Sequence, residues 1–325
     1  MAYDLDFERP LAEIERRIAA LQRKGERLKA DERTQIRALE RELRQQTSEI
    51  YGALTSWQRV QVARHKDRPH TGDYIKLICD DFFELRGDRR FGDDRAILGG
   101  MASIDGKTLM ILGHQKGNDT RERQESNFGM PHAEGYRKAL RIMKQGERFR
   151  APVVTLIDTA GAALDVDAEK RGIAQSIAEN LFEMSVLRTP ILSIVIGEGG
   201  SGGALGISVA DRILMMENTI YTVASPEAAA SIMWRDNAFA STAAEAMKIT
   251  APELKRLGLV EDIIAEPVGG AHHDRQGAAK AVKDAILTIL PQLERRSIED
   301  LLERRYQRFR AIGTIAFEPV GAASN

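Results

Sequence analysis

An α/β fold with helical segments at both ends is predicted from two observations. Between about residues 96 and 266, short apolar runs alternate with stretches of helical period, which is typical of strand–helix units. Both ends of the chain instead carry charged segments in which apolar residues recur every three or four positions, as on amphipathic helices. A length of 325 residues is enough for one large domain with an appended arm, or for two domains.

Composition excludes several classes of protein. The chain is 43% hydrophobic and 29% charged, and 47 Lys and Arg nearly balance 48 Asp and Glu, so no nucleic-acid partner is predicted. The longest uncharged stretch, Gly199 to Ala210, is too short to span a membrane, and the N-terminus lacks the pattern of a signal peptide. Because Cys79 is the only cysteine, an internal disulfide and a thiolate-rich zinc site are excluded. We therefore expect a cytoplasmic protein.

The N-terminal segment is predicted to form two antiparallel helices that join near Ala30. Apolar residues in the first fifty positions fall on one helical stripe per helix: Leu11, Ile14, Ile18, Leu21 and Leu28, then Ile36, Leu39, Leu43 and Ile50. Two interpretations remain open here, because both would bury the same stripe. The hairpin is either a docking arm for a partner subunit or a structure packed on its own domain.

The central region is predicted to contain six strands and two long helices. The strands are the short apolar runs Gly100–Ile104, Thr108–Leu112, Val153–Ile157, Ile191–Ile196, Ile213–Met216 and Ile220–Val223. The helices are Glu134–Phe149 and Asp167–Leu187, and a short helical stretch is predicted at Ala204–Ala210. From Gln276 to Ala311 the pattern is helical again.

A glycine-rich loop from Gly197 to Leu205 is the most informative segment of the sequence. It follows an apolar run and precedes a helical stretch, and five of its first seven residues are glycines. Glycine lets another molecule approach the backbone, and consecutive N–H groups at the start of a helix bind anions. The loop is therefore a candidate for holding a phosphate or an oxyanion.

Three mechanisms compete for this loop. Gly197, Gly199 and Gly202 match a dinucleotide-binding pattern, with Glu217 about 20 residues further on. Ser201 satisfies a nucleophile-elbow pattern, and Asp262 with His272 or His273 follows in hydrolase order. An oxyanion hole made of backbone N–H groups needs no particular side chain. The phosphate-loop motif that ends in Gly-Lys-Ser/Thr is absent, so no ATP site of that kind is predicted.

A second loop, Asp158 to Ala163, follows the strand that precedes the glycine-rich one. Consecutive parallel strands end at the same edge of a sheet, so the two loops should converge and form a pocket wall of backbone donors. His65, His70, His114 and His132 show no pair with metal-ligand spacing, and no metal is predicted in this chain.

Long ordered motifs resemble one family nearly end to end. They are Asp6–Leu11, Ala63–His65 with Arg68–Pro69, Phe83–Arg89, Gly113–Gly117, Asn127–Leu140, Gly197–Leu205, Ser225–Glu227 and Glu266–His272. In these segments the chain resembles the α subunits of bacterial acetyl-CoA carboxylase carboxyltransferases. The resemblance implies a crotonase-like fold of β-β-α units. The expected organisation is a helical arm over residues 1–66, a crotonase-like core over 67–270 and a C-terminal helical segment over 271–325.

The same resemblance implies a reaction and its partners. The carboxyl group of carboxybiotin, held on a biotin carboxyl carrier protein, would pass to acetyl-CoA and form malonyl-CoA for fatty acid synthesis. The chain would act with a homologous β subunit that carries zinc, in an expected α2β2 assembly, while a separate biotin carboxylase uses the ATP. A serine hydrolase based on Ser201, a dinucleotide enzyme and a non-catalytic scaffold subunit remain as alternatives.

Residue roles are likewise implied by the resemblance. The N–H groups of Gly202 and Gly203 would form the oxyanion hole for the ureido oxygen of biotin. A valine at either position is expected to abolish transfer in a chain that still folds. The expected substrate-binding residues are Lys116, Thr159, Gly161, Ala162, Gly199, Gly200 and Ser201.

The chain departs from the family in the second loop. Where the family reads Asp-Thr-Pro-Gly-Ala-Tyr-Pro-Gly-Val-Gly, residues 158–167 read Asp-Thr-Ala-Gly-Ala-Ala-Leu-Asp-Val-Asp. Asp167 lies just before a predicted helix start near Ala168, so we expect it to cap that helix. Because carboxybiotin is anionic, we expect Asp165 to turn outward.

Overall fold

Eight strands form one mixed sheet in the computed structural model, which describes residues 3–313. In chain order they are β1 (Asp81–Glu84), β2 (Ile97–Ile104), β3 (Lys107–His114), β4 (Val153–Thr159), β5 (Ile191–Gly200), β6 (Arg212–Met216), β7 (Ile220–Thr222) and β8 (Asp262–Ile264). The six strands predicted from the sequence all form. The short strands β1 and β8 were not predicted.

The sheet combines an antiparallel hairpin with a parallel core. Its order is β1-β2-β3-β4-β5-β6-β8, with β7 paired to the end of β5. β1, β2 and β3 are antiparallel, and all pairs from β3 to β8 are parallel. Asp105 and Gly106 turn the β2–β3 hairpin with φ of 48° and 74°, the left-handed conformations that a tight two-residue turn requires.

Fourteen α-helices lie in the described residues. They are α1 (Arg9–Gln22), α2 (Ala30–Gly52), α3 (Ser56–Ala63), α4 (Thr71–Ile78), α5 (Thr120–Glu125), α6 (Ala133–Phe149), α7 (Val166–Lys170), α8 (Ile173–Val186), α9 (Ser201–Leu205), α10 (Pro226–Trp234), α11 (Ala240–Met247), α12 (Ala251–Arg256), α13 (Arg275–Glu294) and α14 (Ile298–Arg310). None of the described helices is long and apolar enough to cross a membrane.

Helices cover both faces of the sheet. One core contains residues of α6 and α8 packed against Val153, Ile157 and Val195 of the central strands. The opposite core joins α4 and α13 to the alternate residues of the same strands, such as Leu156 and Ile194. Every residue of β4 and β5 is buried, which explains why both strands read as continuous apolar runs.

The N-terminal hairpin packs on its own chain. Ile14 and Ile18 of α1 meet Ile36 and Leu39 of α2 in a small apolar cluster. A second cluster joins Leu11 and Tyr51 of the hairpin to Leu54 and to Val62 of α3. The apolar stripe that the sequence indicated is therefore buried within this chain.

Two predicted helices are each divided in the structure. Gly172, with φ of 78°, separates α7 from α8 within the segment predicted as one helix from Asp167 to Leu187. Ser297 caps α14 by accepting from Asp300 N and so marks a break in the predicted helix from Gln276 to Ala311. Residues 314–325 of the predicted C-terminal segment lie outside the described residues.

Asp165, and not Asp167, caps the helix after the second loop. Its carboxylate accepts the N–H of Ala168 at 2.9 Å, because α7 begins at Val166, earlier than the sequence predicted. The other carboxylate oxygen of Asp165 lies 2.9 Å from Nε2 of His132, and half of the side chain is exposed. Asp167 lies inside the first turn, 3.7 Å from Arg171.

Asp165→Ala is expected to lower the thermal midpoint of the protein, whereas Asp167→Ala should leave it almost unchanged. The first change removes both the cap and the His132 partner, and the second removes only an exposed contact. Asp165→Asn, which keeps an accepting oxygen, should recover most of the loss. Thermal unfolding followed by circular dichroism compares the three variants, and equal midpoints for both alanine variants would contradict the cap assignment.

Candidate functional site

The two predicted loops meet at the carboxyl ends of β4 and β5. Thr159 pairs with Gly199 across the parallel ladder, after a shift of register between Ile157 and Thr159. An added Cβ on Gly200 would lie 2.1 Å from the carbonyl oxygen of Ala160, so only glycine fits there. The predicted convergence of the loops is confirmed, and it depends on backbone lying directly against backbone.

The glycine-rich segment divides into a strand end and a short helix. β5 continues through Gly200, beyond the predicted end at Ile196, because Gly199 and Gly200 pair with Tyr221 and Thr222 of β7. α9 then begins at Ser201 and ends at Leu205, so the predicted helix at Ala204–Ala210 is misplaced. Gly199 and Gly200 are therefore buried strand residues.

Gly202 and Gly203 lie side by side in the first turn of α9 but have different surroundings. An added Cβ on Gly203 would lie 2.3 Å from the backbone carbon of Gly161. At Gly202 the nearest atom to such a Cβ is Cδ1 of Ile177, 3.9 Å away. Gly203 is thus required for packing of the two loops, whereas the surface at Gly202 is open. The geometry therefore argues against the expectation that valine at position 203 leaves the chain folded, and we expect such a variant to lose stability.

The start of α9 offers backbone donors. The first N–H groups of a helix have no acceptor within the helix, and here these belong to Ser201, Gly202 and Gly203. The residue before the helix, Gly200, has no side chain that could accept from them. The arrangement can hold an oxyanion by hydrogen bonds from the backbone.

The serine-hydrolase arrangement is not assembled. Ser201 is exposed with φ of 50°, and no side-chain hydrogen bond of Ser201 occurs among residues 3–313. Asp262 bonds to Lys255 at 2.7 Å, and His272 is buried beside Tyr51. A nucleophile needs a base within hydrogen-bonding reach, so the sequence order of Ser201, Asp262 and His272 was misleading.

The dinucleotide interpretation fails on the length of the helix and on Glu217. α9 has only five residues, too few for the helix of a dinucleotide-binding unit. The carboxylate of Glu217 accepts the backbone N–H of Glu266 at 3.2 Å and so serves the fold.

A buried charged network lies behind the two loops. Asp158 accepts from Nζ of Lys116 at 2.7 Å, from Nδ1 of His70 at 3.0 Å and from the N–H of Glu198 at 3.0 Å. Arg64 binds Glu198 at 2.7 Å and continues to Glu227 at 2.6 Å. Burial alone would raise the pKa of Asp158, but Lys116 and His70 together hold that pKa well below its ordinary value.

Lys116 and Thr159 serve the loops in different ways. Lys116 lines a cavity of about 210 Å³ together with Arg64 and His70, beside the charged network. The Thr159 hydroxyl donates to the carbonyl of Gly161 at 2.6 Å and accepts the N–H of Gly161 at 3.1 Å. Thr159 therefore shapes the second loop from within, while Gly161 and Ala162 lie half-buried against α9.

Four participants were not identified as site residues from the sequence: Arg64, His70, Glu198 and Asp158. Asp158 was noted only as the first residue of a loop, and His70 lies 88 positions before it. No local spacing connects residues so far apart. Two signals were available: Asp158 and Glu198 lie at the ends of neighbouring strands, and Arg64 and Glu198 lie in segments that resemble the family.

One group of side chains in the described residues has ligand atoms placed as for a metal ion. These atoms, from Glu8, His272 and His273, all lie within 4.8 Å of one another. They already bond within the protein, since Tyr51 donates to Glu8 at 2.6 Å and His273 lies 3.2 Å from the same oxygen. The group fastens the N-terminal hairpin to the loop before α13.

Comparison with known proteins identifies close relatives over the whole described chain. A family model described as acetyl co-enzyme A carboxylase carboxyltransferase-like matches residues 4–313. The chain is 51% identical over 310 residues to the acetyl-coenzyme A carboxylase carboxyl transferase subunit alpha of Stenotrophomonas maltophilia (strain R551-3), covering 95% of this chain and 97% of that protein. The corresponding subunit of Geobacter metallireducens is 50% identical over 315 residues, covering 97% and 98%.

Solved structures with similar folds are more distant in sequence. A Pseudomonas malonate decarboxylase hetero-tetramer in complex with coenzyme A matches with a TM-score of 0.56 and 16% identity, over 74% of this chain and 94% of that chain. Transcarboxylase 12S matches with a TM-score of 0.54 and 19% identity, over 67% and 41%. These likenesses concern the fold, and the predicted crotonase-like α/β class is confirmed.

Proposed function

Because this chain belongs to the acetyl-CoA carboxylase carboxyltransferase family of α subunits, we propose that it transfers a carboxyl group from carboxybiotin to acetyl-CoA to form malonyl-CoA. The observation that carries the proposal is the first turn of α9. There two adjacent N–H groups lack an acceptor in the helix, and Gly202 has open space on its surface.

The turn is suited to stabilise negative charge on an oxygen. When bound, carboxybiotin would supply the carboxyl group, and this turn would hold the ureido oxygen of biotin, on which negative charge would develop. The N–H groups of Gly202 and Gly203 would donate to that ureido oxygen. Backbone donors in a fixed turn need no reorganisation as charge develops, which is the basis of their catalytic effect. This explains why the site needs no serine nucleophile.

The remaining site residues would shape the pocket. Gly199, Gly200 and Ser201 would set the path of the chain into α9, and Thr159, Gly161 and Ala162 would form the facing wall. Lys116 would add positive charge beside the site, although its ammonium group is already bonded to Asp158. The Asp165 carboxylate caps α7, is half-exposed and is paired with His132, so its charge need not oppose an anionic substrate.

We place the complete reaction in a multisubunit assembly. A zinc-bearing β subunit would provide the oxyanion hole for the thioester, in an α2β2 complex in the cytoplasm. A carrier protein would bring carboxybiotin, and a separate biotin carboxylase would use the ATP. Within this chain, residues 1–66 would form the helical arm, 67–270 the core and 271–325 the C-terminal segment.

Reconstitution tests this proposal directly. The full chain is combined with its β subunit and with carboxylated carrier protein, and malonyl-CoA is measured by mass spectrometry. Formation of malonyl-CoA that requires both subunits is the expected result. If the β subunit alone formed malonyl-CoA at the same rate, the chain would be a scaffold and the proposal would be wrong.

Ser201→Ala is expected to keep carboxyl transfer within about threefold of the parent rate, a change in barrier below about 1 kcal/mol. The proposed donors belong to the backbone, and no described side chain binds Ser201. Initial rates of malonyl-CoA formation by the reconstituted complex measure the effect. A loss of several orders of magnitude, together with a covalent adduct in the parent, would instead support the hydrolase mechanism.

A further inference from the structure

The carbonyl oxygen of Gly203 accepts hydrogen bonds from two buried side chains. The hydroxyl of Tyr136 donates to it at 3.0 Å, and Nε2 of His114 lies 3.3 Å from it. Tyr136 comes from α6 and His114 from the end of β3, so two separate elements reach the same peptide of α9. We call these two side chains the Gly203 clamp.

Tyr136 is placed against the short helix by packing as well as by its hydroxyl. Its ring occupies the space beside Gly206, where an added Cβ would lie 2.6 Å from the ring. Asn180 of α8 donates to the carbonyl of Gly206 at 2.9 Å and to the carbonyl of Tyr136 at 3.0 Å. The middle of α9 and the residue that follows it are thus fastened to the helices that cover this face of the sheet.

His114 connects the second loop to α9. The N–H of Asp158 can only donate, so Nδ1 of His114 accepts it, at 3.3 Å. The ring hydrogen then resides on Nε2, which donates to Gly203. Burial lowers the pKa of His114 to about 4, so the ring is neutral near pH 7 and keeps this arrangement.

We infer that Tyr136 and His114 are positioning residues for carboxyl transfer, which hold the first turn of α9 so that the N–H groups of Gly202 and Gly203 keep one direction. The inference rests on the proposed function. A five-residue helix that begins with Ser201 in a left-handed conformation is too short to be stable by itself. Its orientation must come from surrounding contacts, and a Cβ at Gly202 would meet only Ile177, at 3.9 Å.

Tyr136→Phe is the most selective test, because the ring stays beside Gly206 and only the hydroxyl is removed. We expect kcat to fall about tenfold with KM unchanged, since the hydroxyl touches the turn and no substrate. Tyr74→Phe is the matched control, because Tyr74 is also fully buried and, among the described residues, its hydroxyl hydrogen-bonds only to the sulfur of Met216, at 3.0 Å. The control should keep the parent kcat.

Two further measurements separate positioning from a general loss of structure. Hydrogen exchange of the amides of residues 201–206 should accelerate in Tyr136→Phe and not in Tyr74→Phe. His114→Gln, whose amide carries both a donor and an acceptor, should retain more activity than His114→Ala. Each variant is studied as the full chain in complex with the β subunit.

The outcomes distinguish this inference from the proposed function. An active parent whose Tyr136→Phe variant keeps the parent kcat overturns the inference, as does an equal fall of kcat in both tyrosine variants. A parent complex that forms no malonyl-CoA overturns the proposed function. Hydrogen exchange then still tests whether the Gly203 clamp holds the turn. Unchanged exchange at residues 201–206 in Tyr136→Phe would overturn that inference.

Discussion

Replacing Gly202 with valine is expected to lower malonyl-CoA formation about 100- to 1000-fold in a chain that stays folded and still binds its β subunit. The new side chain would enter open space, since a Cβ at this position lies 3.9 Å from its nearest neighbour, Cδ1 of Ile177. It would occupy the surface from which an oxygen must approach the N–H groups. Steady-state rates of the reconstituted complex measure the loss, and circular dichroism with co-purification of the β subunit verifies folding and assembly.

Gly203→Ala is the informative contrast to that variant. A Cβ on Gly203 would lie 2.3 Å from the carbon of Gly161 and 2.5 Å from the nitrogen of Ala162. The two loops would have to separate, so this variant should lose stability as well as activity. If Gly202→Val kept nearly the parent turnover, the glycine turn would have no part in catalysis, whatever the result at position 203.

Burial on both faces makes the central strands the plainest in the sequence pattern. The runs Val153–Ile157 of β4 and Ile191–Ile196 of β5 are mostly apolar because helices cover both sides of the sheet. β1 (Asp81–Glu84) lies at the sheet edge with exposed and half-buried residues in alternation, and β8 has only three residues, beginning with an exposed Asp262. Such short edge strands carry too few apolar residues for a pattern to indicate them.

The glycine pattern predicted where the two loops meet but not how its glycines differ. Five glycines in one segment indicate close approach of backbone, yet the sequence alone cannot show what each glycine approaches. Gly200 and Gly203 lie against the second loop, and among the five glycines only Gly202 has no atom closer than 3.9 Å to an added Cβ. The network behind them joins Lys116, Asp158 and Glu198 across three strands or strand ends, and such distant partners are brought together only by the register of the sheet.

The path of β5 into the glycine turn is further held by a buried ion pair. Nε of Arg68 donates to the carbonyl of Ile196 at 2.6 Å, and the two terminal nitrogens bind the carboxylate of Glu266 at 3.1 and 2.5 Å. Glu266 also accepts the N–H groups of Asn218 at 3.0 Å and Ala271 at 2.9 Å. The pair therefore joins the segment before α4 to β5 and to the loops before β7 and α13.

Arg68→Met is expected to lower the free energy of unfolding by about 3–5 kcal/mol, because it leaves the Glu266 carboxylate buried without its charged partner. Urea denaturation of the full chain at pH 7 measures the effect. Arg86→Met, which breaks only an exposed pair with Glu84, should leave the midpoint unchanged. The double variant Arg68→Met/Glu266→Gln should recover part of the loss, because it removes the buried charge and its one amide oxygen can still accept one of the two backbone N–H groups that bind separate oxygens of Glu266.

The pH dependence of the difference in unfolding free energy between the parent chain and Arg68→Met provides the sharper test. Burial by itself would raise the pKa of Glu266, but Arg68 and the backbone donors hold it below the ordinary value of 4.5. In the parent chain the ionised carboxylate therefore contributes stability above about pH 4.5, and that contribution is lost as the pH falls through the folded-state pKa. In Arg68→Met burial is no longer opposed by the guanidinium, so the pKa of Glu266 rises and protonation relieves the unpaired charge. The difference in the free energy of unfolding between the parent and Arg68→Met should be largest at pH 7 and should shrink toward pH 4. A difference independent of pH would mean that Arg68 acts through packing and not through its charge.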